Sequence, residues 1–577
     1  MDQKRLLAAI AISVGIMLMF EVWNRSHTPA PAPQPTTASA PASPAATPAP
    51  TAAATPGDTV ASATPARAQA ERVTIENPRL SGSVSARGLV LDTLILTTYR
   101  ETVDRNSLPV QLLAPRGRPE GYFAQWGWTA ADGRTRVPDS ETDWTVSGGP
   151  LAPGRDVTFT WENGQGQTFQ AVMALDANYM VTVRQSVRNA AAEPVSVLPW
   201  ARIRRERTPH VAGYYVLHEG YVGVLNGRLT EITYANGKKA GEGTAGLASQ
   251  IESSDGWAGF TDKYWLTALM PAENGTRLTH ALRHITDAGV DRWQADMAPP
   301  AAQQIAPGAT AELATRLFAG AKEVALLDSY QSSLNIRDFD KAVDFGWFYF
   351  ITKPFFYAID WIFKATGNFG IAILIFTFAL KLAFFPLANR AYHSMAKMKA
   401  LGPKMQEMKE RYKDDPAQLQ KEMMGLYKSE KVNPASGCLP ILLQIPVFFS
   451  LYKVLFVTIE MRHAPFYGWI HDLSAPDPTN LFTAFGYIPW DVPSFAHMPA
   501  WALIMGVTMW IQQKLNPQPP DPVQAKIFAW MPVIFTFMLA SFPAGLIIYW
   551  AWNNLLSVAQ QWWIMRGDRL KKRSAAA

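Results

Sequence analysis

Two kinds of hydrophobic pattern follow one another along the chain, and each predicts a different structure. Apolar runs long enough to cross the hydrocarbon core of a bilayer occur near the start and again beyond residue 345. Between them, short segments alternate apolar and polar residues. Val181, Val183 and Val187 alternate with polar residues and predict a strand with one wet face, and 89–96 and 157–161 are further predicted strands. The pattern therefore predicts a β-rich region between membrane helices.

Turn signals support a large all-β domain over residues 71–335. Asn-Gly pairs at 163–164, 226–227 and 236–237 are favourable two-residue hairpin turns. Many short strands joined by such turns are typical of two packed antiparallel sheets. We therefore predict a β domain of sandwich type.

The first 70 residues divide into an anchor and a tether. The apolar run over Leu6–Trp23 follows Lys4 and Arg5, and no small-x-small cleavage site comes directly after it, so we predict an uncleaved transmembrane anchor over 1–25. Residues 26–70 are almost entirely Pro, Ala, Thr and Ser. Such a segment cannot bury a core, and it predicts a semi-extended tether.

The chain beyond the β domain is predicted to be helical. Residues 336–366 contain an aromatic-rich helix, interrupted by charges, that suits the headgroup zone better than a span. Residues 367–566 form a core with five spans and a helical hairpin over 389–437, and a basic tail covers 567–577. The five spans are predicted at Phe369–Ala388, Cys438–Val457, Pro499–Leu515, Ile527–Phe542 and Ala544–Ile564. With the anchor, the predicted fold is a polytopic α-helical membrane protein of six transmembrane helices carrying a large all-β domain.

Composition and charge agree with this arrangement. The 577 residues are 48% hydrophobic, 12% aromatic and only 17% charged, against about a quarter charged in typical soluble domains. The net charge of +6 is concentrated beside apolar segments, since 389–437 carries ten basic and six acidic residues and the tail is also basic. This placement indicates membrane topology and not nucleic-acid binding. The charge rule predicts cytoplasmic termini and a β domain on the opposite side.

Polar residues within the predicted spans all lie toward the cytoplasmic side. The candidates for a shared polar groove are Thr377, Lys381, Gln444, Gln512, Asn553 and Ser557. Intramembrane polar groups are costly, so this common depth predicts a wet cavity that opens to the cytoplasm. For Lys381, snorkelling toward the interface is an alternative, and for the amides, ordinary hydrogen bonding between helices is another.

Methionines recur along the predicted cytoplasmic hairpin. Met395, Met398, Met405 and Met408 follow helical spacing among lysines. They could form the packed core of the hairpin. They could equally present an adaptable apolar surface to varied client proteins, because methionine fits different partners.

Other function classes are weaker. One cysteine, Cys438, excludes an intramolecular disulfide and a cysteine-clustered zinc site, and no phosphate-binding loop of the Walker type occurs. A transporter or channel would need polar residues in the outer half of the spans, which the sequence lacks. An enzyme built on the β domain could use His210, His218 and Glu219, but such residues are usually only solvated. We predict no catalytic residue, cofactor or metal.

The core resembles the YidC/Oxa/Alb family of membrane-protein insertases. The resemblance covers about Phe369–Arg566 and rests on ordered motifs, including 394–398 (SMAKM), 430–434 (EKVNP), 437–446 (GCLPILLQIP), 469–474 (WIHDLS) and 531–536 (MPVIFT). The anchor, tether and β domain resemble the Gram-negative form, whose periplasmic domain is a β-super-sandwich.

The resemblance implies a function and a set of partners. It implies an insertase and chaperone of the inner membrane, with clients that are nascent membrane proteins and with help from the Sec translocon and its accessory subunits, the ribosome and the signal-recognition-particle pathway. It also implies contact with lipid, no specific nucleic acid, and activity as a monomer. Lys381 matches a groove position that is often arginine, and Thr377 matches a substrate-contacting threonine. Trp550 stands where relatives carry a second tyrosine and is a further candidate groove residue.

Overall fold

The computed structural model describes residues 70–211, 217–413, 415–430, 439–486, 488, 492, 498–516 and 522–576. The predicted anchor over 1–25, and all of the predicted tether except residue 70, lie outside these residues. Both therefore stay predictions.

Nineteen strands among the described residues form two antiparallel sheets, which confirms the predicted large all-β domain. The first sheet has ten strands in the order β1-β2-β3-β5-β10-β17-β16-β13, with β4 beside β3 and β18 beside β10. Its strands are β1 Arg72–Glu76, β2 Leu80–Ser85, β3 Val90–Arg100, β4 Pro109–Leu113, β5 Tyr122–Ala130, β10 Val195–Arg205, β13 Leu247–Ser253, β16 Leu278–Asp287, β17 Val290–Ala298 and β18 Gln303–Ile305.

The second sheet has nine strands in the order β12-β11-β14-β15-β19-β9-β8-β7-β6. These are β6 Thr145–Ser147, β7 Val157–Glu162, β8 Gln167–Leu175, β9 Met180–Asn189, β11 Gly220–Leu225, β12 Arg228–Thr233, β14 Gly256–Thr261, β15 Trp265–Pro271 and β19 Thr310–Ala321. Alternate residues of β8 and β9 are buried, as the period-2 pattern predicted. The two sheets face each other, and Trp126 of the first donates its indole N–H to the Thr315 hydroxyl of the second at 3.3 Å.

Two of the three predicted Asn-Gly hairpins are confirmed, and the third is wrong. The pairs at 163–164 and 226–227 join β7 to β8 and β11 to β12. The pair at 236–237 lies inside a helix, α1 Tyr234–Gly241, because the Thr233 hydroxyl caps it by accepting a hydrogen bond from the Asn236 N–H at 3.3 Å. Gly237 permits close packing there, since an added Cβ would lie 2.9 Å from the Trp293 ring.

Two helices connect the β domain to the helical part. Helix α2 Val324–Ser333 follows β19 directly, and α3 Tyr349–Thr366 is the predicted aromatic-rich helix. The Lys353 ammonium on α3 donates to Asp328 of α2 at 2.9 Å and to Asp340 of the intervening 3-10 helix, and the Tyr349 hydroxyl also donates to Asp340. At the other end of α3, the rings of Phe363 and Phe369 stack at 3.6 Å. Helix α3 is thus fixed at both ends.

The helical part contains eight further helices among the described residues. They are α4 Phe369–Ala383, α5 Phe385–Ala400, α6 Gly402–Arg411, α7 Pro416–Ser429, α8 Leu439–Val457, α9 Ala500–Leu515, α10 Pro522–Leu539 and α11 Ala544–Ala576. No described helix is by itself both long enough and apolar enough to cross a bilayer. The bent pair Phe369–Ala383 and Phe385–Ser394 meets these two criteria when its two helices are taken together. The number of spans therefore stays a prediction.

The predicted span over Phe369–Ala388 is not one continuous helix, and this is a correction. Helices α4 and α5 meet at Phe384 with a bend of 65°. Pro386 lacks the N–H that a continuous helix needs, and its ring disfavours helical backbone in the preceding residue. The first part of the helical hairpin predicted over 389–437 is likewise interrupted, at Leu401, just before Gly402-Pro403. Met398 and Met405 therefore lie on different helices.

A loop over residues 473–477, here called the clasp, contacts the turn between α10 and α11. The Ala544 and Gly545 N–H groups donate to the carbonyls of Ala475 and Leu473 at 2.8 and 2.9 Å. The same loop is ordered by the buried Asp477, whose carboxylate accepts hydrogen bonds from the Trp469 indole at 3.1 Å and the Trp501 N–H at 3.0 Å. The clasp therefore holds α9, α10 and α11 at one common end.

Candidate functional site

A cavity lined by both polar and apolar side chains lies between α4, α5, α8 and α11. Its lining residues are Thr377, Leu380, Lys381, Phe384, Leu387, Ala388, Tyr392, Gln444, Val447, Tyr549 and Asn553. The bend at Phe384 contributes to it, because residues on both sides of the break line the same space. Four of the predicted groove residues (Thr377, Lys381, Gln444 and Asn553) are thus brought together from three helices.

Lys381 is held at the cavity wall by α11. Its ammonium donates a hydrogen bond to the Ser557 hydroxyl at 2.9 Å, and that hydroxyl donates to the Asn553 carbonyl at 2.8 Å. Ser557 is buried, while Lys381 keeps part of its surface. No described carboxylate forms an ion pair with Lys381. Among the described residues, the Lys381 ammonium is thus held by a neutral hydroxyl and not by a carboxylate.

A second polar contact links α8 to α11. Gln444 donates its amide to the Tyr549 hydroxyl at 2.6 Å, and Tyr549 is itself buried. The sequence drew attention to Trp550 at this point, but Tyr549 lines the cavity. Trp550 packs between the rings of Phe448 and Phe535, at 4.8 and 5.9 Å. Sequence position alone could not separate the two, since adjacent helical residues differ by about 100° in direction.

Thr377, which lines the cavity, and Gln512 differ in their surroundings. The Thr377 hydroxyl donates to its own helix at the Ile373 carbonyl, at 2.7 Å. Gln512 is half-buried near the end of α9 and does not line the cavity. Asn554, which neighbours Asn553, donates to Thr508 of α9 at 3.3 Å. Hydrogen bonding between helices, the alternative that the sequence left open, therefore accounts for Asn554.

Aromatic side chains fill the space on one side of the cavity. Phe448, Tyr452 and Phe456 follow Gln444 along α8, and Tyr452 and Phe456 stack at 5.4 Å. Tyr452 also packs on Phe542 at 5.9 Å, close to the clasped turn. The polar groups thus lie toward the start of α8, and an aromatic layer separates them from its end.

The hairpin methionines divide into packed and exposed members. Met405 is buried beside Leu401, with Met398, Met423, Leu426 and Tyr427 packed around it. Met408 is half-buried, and Met424 is 51% exposed. The side chain of Met395 lies outside the described residues. Met398 and Met405 therefore have the surroundings of a hairpin core, while Met424 offers an apolar surface.

Two of the candidate acid and base residues of the β domain, His218 and His210, differ in their surroundings. The ring Nε2 of His218 lies 2.9 Å from the Tyr221 carbonyl, and burial lowers the pKa of His218. His210 is exposed. The enzyme hypothesis gains no support from these contacts.

Comparison with known families matches both parts of the chain. The family described as 60Kd inner membrane protein matches residues 361–573, and the YidC periplasmic domain matches residues 72–358. The fold and these matches define the class, an inner-membrane protein with a large periplasmic β domain.

Full-length relatives identify the family. The membrane protein insertase YidC of Granulibacter bethesdensis is 52% identical over 575 residues, covering 99% of each chain. That of Nitrobacter hamburgensis is 52% identical over 524 residues, covering 88% of this chain and 85% of its own. The chain belongs to the YidC family of membrane protein insertases. A crystal structure of an active YidC insertase covers 86% of this chain and 92% of its own, with 17% identity and a TM-score of 0.34; the assignment rests on the sequence relatives.

Proposed function

We propose that this chain inserts and folds newly made proteins in the bacterial inner membrane, using the cavity around Lys381. The observation that carries the proposal is a cation without a described carboxylate partner, in a cavity lined by Thr377, Gln444 and Asn553. Placing a charge within a membrane costs free energy, and ionisable residues found there are typically functional. An acidic segment of a client would supply the missing counter-charge.

The proposed mechanism depends on desolvation. A polar segment that crosses a bilayer loses its hydration, and a hydrated cavity partway across reduces this cost. Lys381 attracts the acidic segment, and the apolar part of the client leaves sideways into lipid. No nucleotide hydrolysis by this chain is part of the mechanism. The aromatic layer beyond Gln444 disfavours a continuous channel.

Topology and partners complete the proposal. The cavity opens to the cytoplasm, both termini are cytoplasmic and the β domain is periplasmic, as the distribution of charged loops predicts. Clients arrive from the ribosome and the signal-recognition-particle pathway. The protein inserts them as a monomer, either alone or together with the Sec translocon. The exposed Met424 contributes an adaptable apolar contact for clients on the cytoplasmic hairpin.

A charge series at Lys381 tests the mechanism. Insertion of a client with an acidic translocated tail is measured in a strain depleted of the endogenous insertase, at matched expression. Lys381→Arg should be near neutral because charge is kept, Lys381→Ala should lower insertion, and Lys381→Glu should lower it most. A client with an uncharged tail should respond less to each change.

Lys526→Ala and Lys526→Glu are the matched controls, because Lys526 is an exposed lysine of α10 that does not line the cavity. They should leave insertion unchanged. Full activity of both Lys381→Ala and Lys381→Glu on the acidic-tailed client would refute the electrostatic role.

A further inference from the structure

Two half-buried cations lie side by side where the β domain meets the end of α8. Lys263 and Tyr264 belong to the turn between β14 and β15, and Arg462 follows the 3-10 helix Ile459–Met461 after α8. The Lys263 ammonium lies 3.9 Å from the Phe456 ring centroid, and the Arg462 guanidinium lies 5.6 Å from the Tyr264 ring centroid. These contacts bring the two cations to one small region.

Neither cation has a carboxylate partner among the described residues. The described contacts of the Lys263 ammonium are with two rings, those of Phe456 and Tyr264. Arg462 donates to the Glu101 backbone carbonyl at 3.0 Å and lies over two rings, those of Tyr264 and Trp265. Cation–π contacts offset only part of the cost of burying a charge.

Two nearby acidic residues, Asp262 and Asp472, make their described ion pair and hydrogen bonds with other groups. Asp262, next to Lys263, forms an ion pair with Arg205 of β10. Asp472 lies near both cations, but its Oδ1 accepts hydrogen bonds from the His463 N–H at 3.2 Å and from the Ser474 N–H and hydroxyl at 2.8 and 2.7 Å.

The electrostatic balance agrees with this geometry. Burial lowers the pKa of Lys263 to about 8, and the attraction of Asp472 and Glu219 does not restore the ordinary value. Burial also lowers the pKa of Arg462. A buried cation with a good partner would show the opposite shift. Asp472, Glu219 and Glu101 therefore compensate these two positive charges only in part.

We propose that Lys263 and Arg462 form a binding site for the phosphate headgroup of an anionic phospholipid. The site lies at the end of the predicted span over Cys438–Val457, which is the depth of the headgroups. Paired cations flanked by Tyr264 and Trp265 suit this zone, since basic side chains attract anionic headgroups and Tyr and Trp are enriched at the interface. The site would fasten the β domain to the membrane surface beside the helical core.

Lipid binding to the full-length protein in detergent tests the proposal. The dissociation constants of phosphatidylglycerol and phosphatidylcholine with the same acyl chains are measured by native mass spectrometry. The wild type should bind phosphatidylglycerol more tightly. Lys263→Gln with Arg462→Gln should weaken phosphatidylglycerol binding roughly 30-fold, the equivalent of about 1 kcal/mol for each charge, and leave phosphatidylcholine binding unchanged.

Two further variants separate charge from structural damage. The charge-conserving pair Lys263→Arg with Arg462→Lys should bind phosphatidylglycerol within about threefold of the wild type. The pair Arg134→Gln with Arg188→Gln removes two exposed arginines elsewhere in the β domain and should have no effect. Arg188 pairs with Thr310 at one end of β19, while Trp265 pairs with Ala321 at the other end, roughly 36 Å away along the strand.

Three outcomes would overturn the proposal. The first is equal phosphatidylglycerol binding by the wild type and the neutral pair. The second is an equal loss in the charge-conserving pair, because charge would then not be the cause. The third is displacement of the lipid by millimolar inorganic phosphate, which would make this a site for a soluble anion.

Discussion

The Lys381 ammonium and the Ser557 hydroxyl are joined by a hydrogen bond of 2.9 Å, although the two residues lie 176 positions apart in the chain. Ser557 in turn is fixed by its own bond to the Asn553 carbonyl. Helix α11 therefore fixes the position of the Lys381 ammonium, although Lys381 itself belongs to α4. Substitutions on α11 should consequently affect the action of Lys381.

Ser557→Ala should lower insertion of an acidic-tailed client about threefold, which is less than the effect of Lys381→Ala. The charge remains, and water in the open cavity replaces much of the lost hydrogen bond, whose net value for a charged group is about 1.5–3 kcal/mol. The measurement is the initial rate of insertion. In a Lys381→Ala background, Ser557→Ala should add nothing, and additive losses would show that Ser557 acts independently.

Accessibility of α8 tests the direction in which the cavity opens. After Cys438→Ser, a cysteine at Gln444 should react with a membrane-impermeant thiol reagent from the cytoplasmic side, because Gln444 lines the cavity. Ser450→Cys is the control on the same helix, since Ser450 is fully buried and should stay unreactive. Labelling of Gln444→Cys from the periplasmic side alone would contradict an inward-opening cavity.

Close packing of α9 on α10 depends on Gly506. An added Cβ there would lie 2.2 Å from the Thr536 hydroxyl oxygen, so Gly506→Ala forces the helices apart. We expect a loss of about 1–3 kcal/mol in the free energy of unfolding, measured by denaturation in detergent. Gly425→Ala on α7 is the control, because its Cβ meets open space and alanine favours helix by about 0.5–1 kcal/mol. Similar stability of both variants would argue against this packing.

Glu460 should make stability depend on pH. Burial raises its pKa from 4.5 to about 7, with Glu323 and Asp360 adding repulsion, and its Oε1 accepts a hydrogen bond from the Val324 N–H at 3.0 Å. Between pH 4.5 and 7 the folded chain binds this proton more tightly than the unfolded chain does, so stability falls as pH rises through that window.

Glu460→Gln keeps the acceptor and removes the charge. It should raise the Tm by about 2–4 °C at pH 8 and change it little at pH 5. Glu312→Gln, at an exposed carboxylate paired with Arg184, should show no such pH dependence. A Tm difference of equal size at both pH values would exclude titration of Glu460 as the cause.

Much of the fold was predictable because it follows from local patterns. The period-2 alternation at Val181, Val183 and Val187 gave a strand, and the apolar runs over 438–457 and 499–515 gave helices close to their observed bounds. The error at Asn236–Gly237 arose because a hairpin signal competed with a helix cap at Thr233, and the outcome depended on packing against Trp293, which lies 56 positions later. Such tertiary preferences are not visible in a local pattern.

The site was predictable in its composition but not in its contacts. The common depth of Thr377, Lys381, Gln444 and Asn553 placed them near one another, and the structure brings them to one cavity. The choice of Tyr549 over Trp550 depended on the rotation of α11, which nearly uniform apolarity leaves undetermined. The sequence contains Pro386 within the predicted span, but the effect of this proline became evident only in the bend at Phe384.

Helix α3 gives the molecule a mechanical property. Near the start of α3, Lys353 donates hydrogen bonds to Asp328 and Asp340, which lie between the β domain and α3 in the chain. At its end, the ring of Phe363 stacks on Phe369 of α4. Because α3 is attached at both ends, a displacement of the β domain would also act on the helix that carries Thr377 and Lys381. A force applied to the β domain would therefore also reach the cavity.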